Sequence, residues 1–240
     1  MTSIRTLYVF TLRTMYLSTV WEGDVRARFT VSDIASAALA IVDQDGLSGL
    51  SMRSLAAALG TGPMTLYNYV RDRRELEALV ADAVVADVKV PAPTDDWRAD
   101  VHAIATAIWE TMRQHPNAIP LVLTRRTVSA SSYVVADRLI AALRRSGVGD
   151  ADLLASFRGV LGFVMGSAQA ELAGPLAGTG REKEQVAVAA RIGGLAGTEH
   201  PHIAALAQAS QRSTPAADFE RALDILLAGI ESFERRRDRR

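Results

Sequence analysis

The residues able to do chemistry in this chain are few outside one class. Cysteine is absent, and the histidines are His102, His115, His200 and His202. His200 and His202 flank Pro201 in a loop-like spacing, and His115 precedes Pro116 as a helix end does. There is no His-Glu-x-x-His run and no glycine-rich loop following a strand, so nucleophile–base pairs, zinc helices and phosphate cradles have little to build on. No metal or cofactor is expected, and catalysis is a rival reading with few residues to carry it. Arginine is different: apart from Lys89 and Lys183 it supplies every basic side chain except histidine. Its planar fork pairs with guanine edges and with phosphates, so nucleic-acid contact is the chemistry to weigh.

The 27 basic and 27 acidic residues cancel, so the bulk charge gives no support to that reading and the distribution must carry it. Arginine gathers at Arg53, at Arg71-Asp72-Arg73-Arg74, and in the tail from Arg235 to Arg240. The stretch Leu7 to Trp21 is apolar but interrupted by Arg13. It falls short of the roughly 20 apolar residues a membrane span needs and lacks a signal-peptide cleavage site. Residues 1–24 therefore read as an extension outside the fold. The alternative is a flexible arm, with Arg26 and Arg28 reaching DNA beside the main helix. The absence of cysteine accords with a reducing cytoplasm, the expected location.

The positioning elements are helices throughout, and the fold class is all-α. Ser32 is the expected cap of a first helix with Ile34, Ala38, Ile41 and Val42 inward, ended by Asp45-Gly46. Ser51 caps a second, which buries Leu55, Ala56 and Leu59 and stops at Gly60. Pro63 opens a short third helix, and Asp72 with Glu75 starts a fourth carrying Leu76, Leu79, Val80, Ala83, Val84 and Val88. Pro91-Ala92-Pro93 breaks the pattern, dividing a domain of residues 25–90 from one of residues 95–236. Beyond it come a helix from Asp95 or Asp96 to His115, one from about Ser129 to Arg145, and a long apolar one from about Leu153 to Leu172. Residues 174–200 read as a connection with a short helix near Glu182–Ile192, and a final helix carries Phe219, Leu223, Leu226, Ile230 and Phe233.

Ser51 to Arg74 is the informative stretch. Two short helices joined by a glycine turn form a helix-turn-helix, with Ala56 small enough for a close crossing and Leu66 locking the second helix back. In such a unit the second helix enters the major groove. Pro63, Met64, Tyr67 and Asn68 are placed to read base edges and Arg53 to fork onto guanine, while Thr65, Tyr69, Arg71 and Arg73 suit phosphates. The bland alternative is an alanine–leucine helical pair in a bundle that never touches DNA, an interaction module.

Residues 30–88 resemble the DNA-binding domain of the TetR family of bacterial repressors. The resemblance rests on Gly46-Leu47-Ser48-Gly49-Leu50-Ser51-Met52-Arg53, Leu55-Ala56, Leu59-Gly60, Thr65-Leu66-Tyr67 with Val70, and Arg71-Asp72-Arg73. It implies double-stranded operator DNA as partner, a homodimer, and a small-molecule inducer bound by a second helical domain. Residues 97–175 more loosely resemble the tetracycline repressor branch, in which a histidine holds the drug-chelated magnesium. Val122 stands at that position here, which argues against this ligand.

Polar residues within apolar stripes mark the expected ligand pocket: Arg126, Gln169 and Glu171, with Ile104, Ile108, Trp109, Met112, Phe157 and Met165 as walls. The expected dimer interface lies on the last two long helices, at Leu161, Met165, Leu172, Phe219, Leu223, Leu226 and Ile230. Ligand binding would move the fourth helix and change the spacing of the reading helices. Whether DNA binding represses or activates stays open at this level.

Overall fold

The computed structural model describes residues 28–124, 129–173, 187–188, 190–194 and 199–237. The proposed N-terminal extension and Arg26 lie outside the described residues. Residues 31–240 form one compact unit, distinct from the segment ending at Thr30. Among the described residues every regular element is helical.

Helix α1, Val31–Gly49, buries Ile34, Ala38, Leu39 and Val42. It begins before Ser32, which is therefore a helical position and not a cap, and Asp33 supplies the favourable first-turn charge. The buried arc is centred near Val42, leaving Ile41 half-buried at its edge. Gly46, at φ 70°, kinks the helix where a stop was expected, and helical bonding resumes to Gly49.

Helix α2, Met52–Ala58, starts with a reciprocal cap in which Ser54 N donates to Ser51 Oγ at 3.0 Å and Ser51 N to Ser54 Oγ at 2.9 Å. Helix α3, Pro63–Leu66, has proline at its first position. Helix α4, Arg73–Ala86, is capped by Asp72, whose carboxylate accepts from Glu75 N at 2.8 Å. The return bond goes elsewhere than expected: Glu75 accepts from the Arg71 backbone at 2.7 Å, so the box closes one residue earlier in the chain. Helix α4 buries Leu76, Val80, Ala81 and Val84, with Leu79 and Ala83 half-buried. It packs on α1 and on the helices that follow the linker.

Helix α5, Trp97–Gln114, is the centre of the remaining bundle, with Val101, Ile104, Ala105, Ile108, Trp109 and Met112 buried. A 3-10 turn, Pro116–Ala118, leads into α6, Ile119–Thr124. Helix α7, Ala130–Arg144, is capped by Ser129, and α8 runs Asp150–Ala173. Helices α9, Pro201–Ser210, and α10, Pro215–Arg237, complete the described elements. Helix α5 packs against α7, α8 and α10, while α4 packs against α6 and α7.

Of the short helix expected near Glu182–Ile192, residues 187–188 and 190–192 are described and helical, as are 193–194, and the rest lies outside the described residues. Helix α9 was not expected from the sequence. It buries only Ala207 and exposes Ile203 and Leu206, so it has no inward stripe to betray it. Helix α10 buries Phe219, Leu223, Leu227 and Ile230, so Leu227 replaces the expected Leu226, which is half-buried.

Candidate nucleic-acid interface and effector cavity

Helices α2 and α3 pack together, and Leu55 and Ala56 of α2, Leu66 of α3 and Val70 just beyond it are each at most 2% exposed. The turn between them closes through Gly60, at φ 60°, and a bond from Thr61 N to the Ala56 carbonyl at 2.9 Å. With Leu66 and Val70 buried, the opposite side of α3 must face out. Met64 is 78% exposed and Tyr67 49%, Pro63 and Asn68 are exposed, and Thr65 and Tyr69 are half-buried. Helix α3 itself spans only Pro63–Leu66, with Tyr67 to Tyr69 continuing as turns.

The arginines frame this face. Arg53, on the first turn of α2, is exposed and has no partner among the described residues. Arg71 pairs with Glu75 at 3.3 Å and Arg73 with Glu77 at 2.9 Å, and Arg73 Nη2 also donates to the Leu47 carbonyl at 3.0 Å. Exposed pairs of this kind are worth about 0.3–0.5 kcal/mol, so a phosphate can displace them at little cost.

Two cavities adjoin the linker between α4 and α5. One, of about 300 Å³, is walled by Pro91 and Pro93 of the linker, Ile104 of α5, and Ala141 and Ala142 of α7, with Asp100, Arg138 and Arg145 among its polar groups. The other, of about 460 Å³, runs along a polar stripe of α5, His102, Thr106, Glu110 and Gln114, beside Asp87 and Lys89. Ile104 lines the first, and neither lining contains Ile108, Trp109, Met112, Phe157, Met165, Gln169 or Glu171.

Those side chains sit in core packing or beside it. Ile108, Trp109 and Met112 are each at most 3% exposed. Trp109 stacks on Phe219 at 4.3 Å, and Arg113 lies over its ring at 4.6 Å while pairing with Glu171 at 3.0 Å. Phe157, Met165 and Gln169 are half-buried on α8, and Arg126 lies outside the described residues. The stripe at 102, 106, 110 and 114 was missed. Its signal was polar residues at helical spacing opposite the apolar stripe, ordinarily read as a solvated face.

Two of the four histidines, His102 and His115, have structural partners. His102 Nε2 meets Glu220 Oε2 at 2.7 Å. His115 Nδ1 lies 2.8 Å from Asp43 Oδ2 and its Nε2 lies 3.4 Å from Asp87 Oδ2. His200 stands at the N-cap of α9 and His202 is exposed.

A model of the tetracyclin repressor-like C-terminal domain matches residues 90–233. The chain belongs to the TetR family of transcriptional regulators. The repressor DrrR1 of Streptomyces coeruleorubidus is 34% identical over 145 residues, covering 60% of this chain and 54% of that protein. The chain thus spans about half the length of that relative. Apo ActR from Streptomyces coelicolor superposes with a TM-score of 0.73 at 28% identity, covering 85% of this chain and 96% of its own. ActR in complex with actinorhodin gives a TM-score of 0.72 at 28% identity, covering 86% and 98%.

Two features bear on this TetR chain's ligand and assembly. Val122, which stands where the resemblance to the tetracycline repressor branch implies a magnesium-binding histidine, is half-buried. The expected interface is partly internal. Phe219, Leu223 and Ile230 are at most 6% exposed within their own subunit, so they cannot also form a seam. Leu161 and Met165 are half-buried, and the Leu172 side chain lies outside the described residues. Among the described side chains, the large apolar ones that α8 and α10 leave open are Leu154, 50% exposed, and Ile225, 70% exposed. The stretch Asp150–Glu171 is apolar enough to cross a membrane by length and composition, yet only Leu153, Val160, Val164 and Ala168 in it are buried.

Proposed function

We propose that this TetR-family chain is a cytoplasmic homodimeric repressor that leaves its operator when a small molecule binds the linker cavity. The observation that carries the DNA-binding reading is the outward side of α3, where Met64, Tyr67 and Asn68 are exposed over a helix locked down by Leu66 and Val70. Short apolar and amide side chains there suit thymine methyl groups and adenine edges. Repression follows from the likeness to DrrR1, named a transcriptional repressor, and an effector from the likeness to ActR, which has been solved with actinorhodin.

The uncovered apolar surface of α8 supports a second copy as its cover, since a long apolar helix with little burial is costly in water. In a dimer the two α3 helices must lie about 34–36 Å apart to enter successive major grooves. Helix α4 joins that spacing to the cavity, because it packs on α1 at one side and on α6 and α7 at the other. An effector acts only through its different affinity for the two spacings.

The test is protection mapping of DNA flanking the gene, followed by anisotropy with the protected duplex. Binding should weaken steeply with salt. Arg53→Ala and Met64→Glu should each lower affinity at least about tenfold with unchanged helix content, as loss of a base contact does. Equal affinity of both variants and the parent would remove the assignment of this face.

A further inference from the structure

The linker cavity holds a charge that its walls do not balance. Asp100 is 6% exposed, and its carboxylate accepts from Thr94 N at 2.9 Å, from Thr94 Oγ1 at 2.7 Å and from the Arg145 guanidinium. Arg145 is spent in turn on Asp100 and on the Thr94 carbonyl. Arg138 is not. It donates once, through Nη2 to the Pro91 carbonyl at 3.0 Å, and among the described residues no carboxylate pairs with it. A guanidinium has five N–H donors, so most of its capacity is unused. The Arg138 side chain is half-buried beside the linker prolines, and its guanidinium meets the Pro91 carbonyl at the exposed rim of the cavity, where an anion can reach it.

We infer that this cavity takes a small organic acid, with its carboxylate on Arg138 and its apolar body against Pro91, Pro93 and Ile104. The planar fork of arginine matches a carboxylate in two parallel bonds, which an alcohol or an amine does not provide. The volume of about 300 Å³ is at the small end for ligand sites, so the acid carries one ring or a short chain. Arg138 also tethers the linker at Pro91, so an acid that claims the guanidinium acts on the segment joining α4 to α5. The inference gives the chemical class of the effector proposed above and rests on that reading for its regulatory meaning.

The probe is 3-phenylpropionate, with 3-phenylpropanamide as its uncharged counterpart of the same shape, titrated calorimetrically into the full chain. The acid should bind at least about tenfold more tightly than the amide, as a hydrogen bond to a charged group implies. In Arg138→Gln, which keeps an N–H for the Pro91 carbonyl, the acid-to-amide ratio should fall to near one while the melting temperature holds. Filling the cavity with Ile104→Trp should weaken both ligands. Equal affinities in the parent chain, or no binding of either, overturn the inference, as does a preference that survives Arg138→Gln. Operator anisotropy separates the two readings. Acid binding that leaves operator affinity unchanged supports the acid site and removes the effector role. Operator release by the amide, equal in the parent and Arg138→Gln, keeps an effector and overturns the acid.

Discussion

His115 and Asp43 meet at 2.8 Å across the junction between the turn after α5 and helix α1. Asn117, two residues on, donates Nδ2 to the Val42 and Asp43 carbonyls at 3.1 and 3.0 Å, so one short turn holds the end of α1 by side chain and backbone alike. Asp43 Oδ1 is buried without a partner, which leaves its other oxygen dependent on the imidazole. His115→Ala should cost about 1 kcal/mol, the worth of a typical hydrogen bond, since this one is only partly buried. Amide exchange should quicken in the last turns of α1 and stay unchanged in α7. Uniform exchange across both helices would show that the turn does not anchor α1 locally.

Gly60 has φ 60° with nothing within 4 Å of where a Cβ would stand, so the cost of substitution there is backbone strain alone. Gly60→Ala should lose about 1–2 kcal/mol. Gly60→Asn should lose clearly less, because asparagine tolerates the left-handed region. Thermal unfolding of the two variants checks the order; alanine at or above asparagine would mean that the turn relaxes.

Asp82 carries a pH prediction. Burial raises its pKa above the ordinary 3.8, opposed in part by a hydrogen bond from Ser129, and its Oδ1 is buried without a partner. A carboxyl raised in the folded state binds its proton more readily there than in the unfolded chain. Its charge therefore opposes folding at neutral pH, and the opposition fades as pH falls through the raised value towards 3.8. Asp82→Asn should melt higher than the parent at pH 7, with the gain shrinking near pH 4. A constant difference at both pH values would assign the effect to packing instead.

Among the described residues, Leu154 and Ile225 are the large apolar side chains that α8 and α10 leave most open. If a second copy covers them, Leu154→Arg with Ile225→Arg places four guanidiniums in a desolvated seam, at a cost of several kcal/mol. Light scattering should find the parent dimeric and the double variant monomeric, with helix content retained. A double variant that stays dimeric would place the interface elsewhere.

The reading unit was legible because its signals are local. Ser51, Gly60 and Asp72, like Ser129 beyond that unit, act through the backbone within a few residues, and each stands where its chemistry suggests. The errors arise where tertiary packing decides. Ile41 and Leu39 are both apolar, and the folded chain buries Leu39 while leaving Ile41 half-buried. Leu226 and Leu227 are adjacent, and the bundle buries the second. Phe219 reads as a seam residue until Trp109, 110 positions earlier in the chain, is found stacked on it. The linker cavity was illegible for the same reason. Arg138 looks like any surface arginine of a helix until the Pro91 carbonyl folds over it.

The clasp at Asn117 also limits how this molecule can be recombined. A hybrid that grafts residues 31–90 onto another sensor at the proline break would strand the Val42 and Asp43 carbonyls that Asn117 caps. Workable swaps must carry the 116–118 turn along with the head, or bring an amide of equal reach from the new host. The visible seam at Pro91-Ala92-Pro93 is thus not the mechanical one, and interchange of parts between such proteins is constrained by a contact more than 70 positions away along the chain.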